Sequence, residues 1–189
     1  MYPIEFYNYW LSVGTILMQI VGVGFLALYF LRTRFPDLND IGVLLEKWGM
    51  WKAFVLALAG SALTLFYSEI LGIAPCGWCW IQRVFLYPQV VLFAVALWKC
   101  RTPGVLHVRR DIADYSIALS IFGAAAALYQ HYLQMGGTSV IPCPATAAQA
   151  VDCSVRFLFE FGYITFPLMS FSLFAFLIVL MLFVREKRN

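Results

Sequence analysis

Residues 162–184 read GYITFPLMSFSLFAFLIVLMLFV, 23 consecutive positions without an Asp, Glu, Lys or Arg. As an α-helix such a stretch covers the roughly 30 Å of a bilayer's hydrocarbon core. A soluble helix of that length would need a polar face, and this one has none. Working outward, similar runs appear at about 10–31, 50–72, 79–98 and 112–134. The whole chain of 189 residues is 62% hydrophobic and only 12% charged, with a mean hydropathy of +0.81. That leaves too little polar surface to cover a water-soluble domain. The fold class is therefore an all-α integral membrane protein with five spans. Gly72 and Pro75 punctuate the one stretch that would otherwise run on between two spans. Residues 1–5 carry no basic cluster, and no small-residue cleavage site follows the first span, which reads as an anchor. The segment 33–49 suits a short surface helix.

The basic residues fix a direction. Arg32, Arg34, Lys47 and Lys52 flank the first loop, and Lys99, Arg101, Arg109 and Arg110 flank the third. With Arg185, Lys187 and Arg188 in the tail, eleven of the thirteen Lys and Arg fall on one side, leaving Arg83 and Arg156 on the other. The positive-inside rule puts the clusters in the cytoplasm and the N-terminus outside. A nucleic-acid surface would not alternate in this way. Ala57, Gly60 and Ser61, then Ala118, Gly123 and Ala127, have the small side chains that let helices approach closely in lipid.

This topology places Cys76 and Cys79 just outside the membrane at the start of the third span. Cys143 and Cys153 fall in the outer loop, about 135–161. All four are on the oxidising side, where disulfides persist. Cys100 is alone on the other side, a spectator thiol. Free N–H groups and the dipole at a helix start stabilise a thiolate, so Cys76-Gly77-Trp78-Cys79 has a physical reason to be redox-active. Pro75 suits the helix start because it has no N–H to leave unpaired.

Arg83 lies one turn deeper than Cys79 on the same helix face. A buried cation in a span needs a partner, either a thiolate or an electronegative ligand such as a quinone carbonyl; alternatively it snorkels to the headgroups. Gln82 adds a polar group at similar depth. His131, ending the fourth span, is placed to donate a hydrogen bond to a ligand or move protons, or is simply an interfacial histidine. The Cys143–Cys153 pair is either a static loop staple or the outer half of a relay that exchanges with the first pair. Val155, Phe157, Leu158, Phe159 and Phe161 would lay the loop on the lipid surface, with Arg156 and Glu160 toward water. A four-cysteine zinc site has suitable ligand types, but its second knuckle calls for a closer spacing, and no metal is assigned.

The stretch Pro75-Cys76-Gly77-Trp78-Cys79-Trp80-Ile81-Gln82-Arg83 resembles the first active-site motif of the DsbB family of disulfide bond formation proteins. The likeness continues in order through Tyr129-Gln130-His131, the loop cysteines and Phe161-Gly162-Tyr163-Ile164-Thr165-Phe166-Pro167, over about residues 50–184. In vitamin K epoxide reductase relatives the loop pair precedes the Cys-x-x-Cys; here it follows. The resemblance implies a DsbB-like four-helix membrane domain at 50–189, with residues 1–49 as an additional transmembrane helix and cytoplasmic loop. It implies a bacterial inner-membrane thiol–disulfide oxidoreductase. Such an enzyme reoxidises a secreted thioredoxin-like, DsbA-type donor and passes the electrons to membrane quinone, ubiquinone or menaquinone. By position Cys143 would meet the partner, Cys153 would pass electrons to Cys76, Cys79 would meet the quinone, and Arg83, with Gln82 and His131, would support it. The alternatives are a quinone or epoxide reductase of the vitamin K type, or a non-catalytic membrane protein with structural disulfides.

Overall fold

A computed structural model of the chain describes residues 4–32, 39–99, 106–144 and 152–185. The segment 33–38, Cys100, Arg101, Lys187 and Arg188 lie outside the described residues. Among the described residues five helices are long and apolar enough to cross a membrane: α1 (Ile4–Leu31), α2 (Asn39–Leu65), α3 (Gly77–Lys99), α4 (Leu106–Gln134) and α5 (Phe166–Arg185). A π-helical turn, Phe66–Ile70, extends α2. No strand is formed among the described residues; the isolated bridge Glu160–Ile164 closes a turn.

Helices α2, α3, α4 and α5 pack as a ring of antiparallel neighbours, and α1 lies against α5 outside that ring. The arrangement is the expected four-helix bundle with an additional N-terminal span. Most of one flank of α5 is buried, including Leu173, Phe174, Leu177, Leu180, Met181 and Phe183, because α1, α2 and α4 all cover it.

Periodicity explains which faces meet. On α4 the buried positions Ala113, Ser116, Ser120, Gly123, Ala127, Gln130 and Gln134 recur every three or four residues, one helix face. Gly123 admits the ring of Phe174, and Gly60 on α2 admits Leu173; a Cβ at either would collide with those side chains. Ala118, expected on this face, is exposed instead, because the stripe runs through Ser116 and Ser120.

Two other expectations change. Residues 39–49 continue directly into the second span as helix, so no separate surface helix forms there. The last span opens at Phe166. Before it, Phe161 and Gly162 take left-handed φ values of 52° and 77°, a tight turn that ends at Thr165. The Thr165 hydroxyl then caps α5 by accepting the Leu168 N–H.

Candidate active site

Gly72, at φ +68°, stops the helix extending α2 in a conformation that an L side chain rarely adopts. The chain then runs without regular structure through Pro75 and re-enters helix at Gly77. Cys76 thus occupies the N-cap of α3, and its Sγ accepts the Cys79 N–H at 3.4 Å. The two sulfurs are 2.6 Å apart, so little movement separates the dithiol from a disulfide.

One amide organises both sulfurs. Gln130 Nε2 on α4 donates to Cys76 Sγ at 3.0 Å and to Cys79 Sγ at 3.3 Å. Its Oε1 accepts from Gln82 Nε2 at 2.6 Å, which fixes the amide's orientation. The helix start alone suggests a more acidic Cys76 thiol, but the net effect is the reverse. Its hydrogen bond to Cys79 and then its burial hold the Cys76 thiol above the ordinary range, and backbone N–H groups offset this only in part.

The loop cysteines form a disulfide, Cys143–Cys153, with Cα atoms 5.9 Å apart. Cys153 is packed in one cluster with Cys76, Leu133, Trp78, Tyr129 and Cys79. Two contacts bring the loop there. Gly77 is pressed against Pro144, whose carbonyl a Cβ would strike. The Tyr129 hydroxyl accepts the N–H groups of Val140 and Ile141 and donates to the Ile141 carbonyl. Beyond the cysteines Val155, Phe157, Phe159 and Phe161 are exposed, whereas Leu158, expected among them, turns into the core. The Arg156 guanidinium lies over the Phe159 ring.

Arg83 is buried. Its Nη2 donates to the Thr64 carbonyl at 2.9 Å, its guanidinium lies over the Trp80 ring, and its Nη1 has no hydrogen-bond partner among the described residues. Cys79, Gln82, Arg83, Gln130 and Gln134 line one cavity of about 360 Å³, walled elsewhere mainly by apolar side chains. His131 is not among its lining residues: its Nδ1 meets Thr165 Oγ1 at 2.9 Å. Neighbouring residues on a helix point about 100° apart, and it is Gln130 that faces the sulfurs. The sequence signal for Gln130 is an amide inside an apolar span. No group of three or more potential metal-ligating side chains gathers among the described residues.

Residues 46–184 match the family model described as disulfide bond formation protein DsbB. The chain belongs to the DsbB family. It is 32% identical over 137 residues, 71% of this chain and 85% of the relative, to the SPbeta prophage-derived disulfide bond formation protein B of Bacillus subtilis. It is 28% identical over 143 residues to disulfide bond formation protein C of the same organism, covering 74% of this chain and 94% of that one. A probable disulfide formation protein of Metapseudomonas resinovorans is 31% identical over 136 residues, 72% of this chain and 87% of its own. No solved structure matches. This DsbB-family chain is thus a multi-pass bacterial membrane protein of disulfide formation, and α1 lies outside the matched residues.

Proposed function

We propose that the chain reoxidises a thioredoxin-like, DsbA-type dithiol outside the bacterial inner membrane and delivers the two electrons to a membrane quinone, ubiquinone or menaquinone. The observation that carries this reading is the shared cavity of Cys79 and Arg83, with the buried Nη1 of Arg83 lacking a partner among the described residues. A carbonyl oxygen is the acceptor such a donor calls for.

In this reading a partner thiolate attacks Cys143 Sγ and breaks the Cys143–Cys153 bond. The partner's second thiol then displaces Cys143 and leaves the partner oxidised and the loop pair as a dithiol. Cys153 attacks Cys76 of a Cys76–Cys79 disulfide, releasing Cys79 as a thiolate. Cys143 resolves the Cys76–Cys153 bond, restoring the loop disulfide and leaving Cys76 and Cys79 reduced. Gln130 donates to the leaving Cys79 sulfur and Arg83 supplies positive charge in the same cavity. Quinone, when bound, takes up two electrons and two protons, and Cys76 and Cys79 return to the disulfide. Gln82 orients Gln130, and His131 acts through Thr165, holding the start of α5. The cysteine end faces outward, with the C-terminus cytoplasmic, because the basic clusters lie at the opposite end. Residues 50–189 carry the catalytic domain, joined by the first turns of α2 at 39–49, and α1 is the accessory element.

Cys79→Ser should abolish quinone reduction by a reduced thioredoxin-like partner, followed by quinone absorbance, while Cys100→Ser should leave it nearly unchanged. An active Cys79→Ser protein would sink the proposal.

A further inference from the structure

The cavity that holds Cys79 and Arg83 is not closed by the four-helix ring alone. Trp10, Leu11, Gly14, Thr15 and Met18 of α1 also line it. Gly14 is exposed at the edge of that lining, and a Cβ built on it meets no atom within 4 Å. The wall is apolar in character. The Thr15 hydroxyl is occupied by the Leu11 carbonyl, and that of Ser12 by the Asn8 carbonyl. The buried side-chain polar atoms of the lining without a partner among the described residues, Arg83 Nη1 and Gln134 Oε1, belong to α3 and α4.

Helix α1 is anchored on both sides of Gly14. Toward its start, Tyr67 donates to Asn8 Oδ1 at 2.6 Å; further along, Gln19 Nε2 donates to Ser172 Oγ at 2.8 Å. Hydrogen bonds between helices in lipid hold a packing register. The glycine is therefore held in place over the cavity.

Building on the quinone reading, we propose that α1 is the tail-binding wall of the acceptor site, and that Gly14 is a specificity-determining residue that leaves room for the quinone's apolar chain. The polar lining from α3 and α4 receives the ring, and the α1 surface receives the chain. The family-matched residues 46–184 do not include this helix, so the wall is an addition to the shared core.

The test uses the full chain in lipid nanodiscs, with dithiothreitol as donor and one benzoquinone ring with and without a decyl chain as acceptor. Gly14→Trp should raise KM for the decyl quinone about tenfold, which corresponds to lost contact with roughly two CH2 groups, and leave the tail-less quinone within about twofold. Gly14→Ala should fall between. Gly24→Trp, on the same helix, also facing open space and away from the cavity lining, should change neither. Equal KM shifts for both quinones, or none, would overturn the inference. If Gly14→Trp loses all turnover, photolabelling of the wild type decides. A quinone carrying an azide on its chain should mark residues 10–18, and labelling confined to α2–α5 would overturn the assignment. A wild type that reduces neither ring removes the quinone reading, and this inference with it.

Discussion

Gly77 shows how much one side chain's absence can matter. Its hydrogen is what allows the Pro144 carbonyl to rest on the start of α3, bringing the loop disulfide beside Cys76. Gly77→Ala should displace the loop and slow exchange between the two pairs about tenfold or more, roughly a 1.4 kcal/mol rise in barrier. Rapid thiol trapping after mixing with reduced partner reads this directly. The Cys76 thiol supplies a second prediction at this scale. Its hydrogen bond to Cys79 favours the protonated form, so in the reduced protein the neutral thiol persists as pH rises through the ordinary thiol range. Alkylation of Cys76 should set in only at higher pH than for a free cysteine. Cys79→Ala, removing the first cause, should move that onset to lower pH, although burial remains.

Among the elements, α3 and α4 are joined by a polar clamp in the membrane interior. Gln89, fully buried, accepts from Ser116 at 2.7 Å and from Ser120 at 3.3 Å. Its Nε2 donates to the Phe85 carbonyl at 3.0 Å, next to Pro88, which has no N–H for its own turn. Gln89→Leu orphans both serines and should destabilise the bundle by about 1–2 kcal/mol, read by denaturant titration in detergent. Helix existence was legible at this scale, because 20-residue apolar runs have one physical explanation. Helix starts were less so. The stretch 162–165 is apolar enough to belong to a span, yet Phe161 and Gly162 turn there and the Thr165 cap begins the helix later. Hydropathy counts side chains, whereas the boundary is set by backbone hydrogen bonds.

For the whole molecule, the described basic residues other than Arg83 and Arg156 gather at the end of the bundle away from the cysteines. Arg109 donates to the Glu46 carbonyl at 2.7 Å, Arg185 pairs with Asp114 at 2.7 Å, and Arg32 lies over Tyr29 and Phe183. The exposed Arg185–Asp114 pair adds little stability; its value is as a marker of which helix ends meet. In intact cells with the outer membrane permeabilised, a membrane-impermeant maleimide applied after reduction should label Cys143 and spare Cys100. Labelling of Cys100 alone would reverse the orientation.

By itself the sequence determined the number of spans, the grouping of charge, the cysteine pairs at one end and the depth of Arg83. All of these follow from composition and spacing along single helices. Only the tertiary structure decided that Gln130 and not His131 faces the sulfurs, that Gly77 receives Pro144, and that α1 helps to line the cavity beside Cys79. The physical reason is the same in each case. Rotation of one helix against another is set by close packing of side chains far apart in the chain, such as Phe174 in the notch of Gly123, and spacing along one helix carries no record of it.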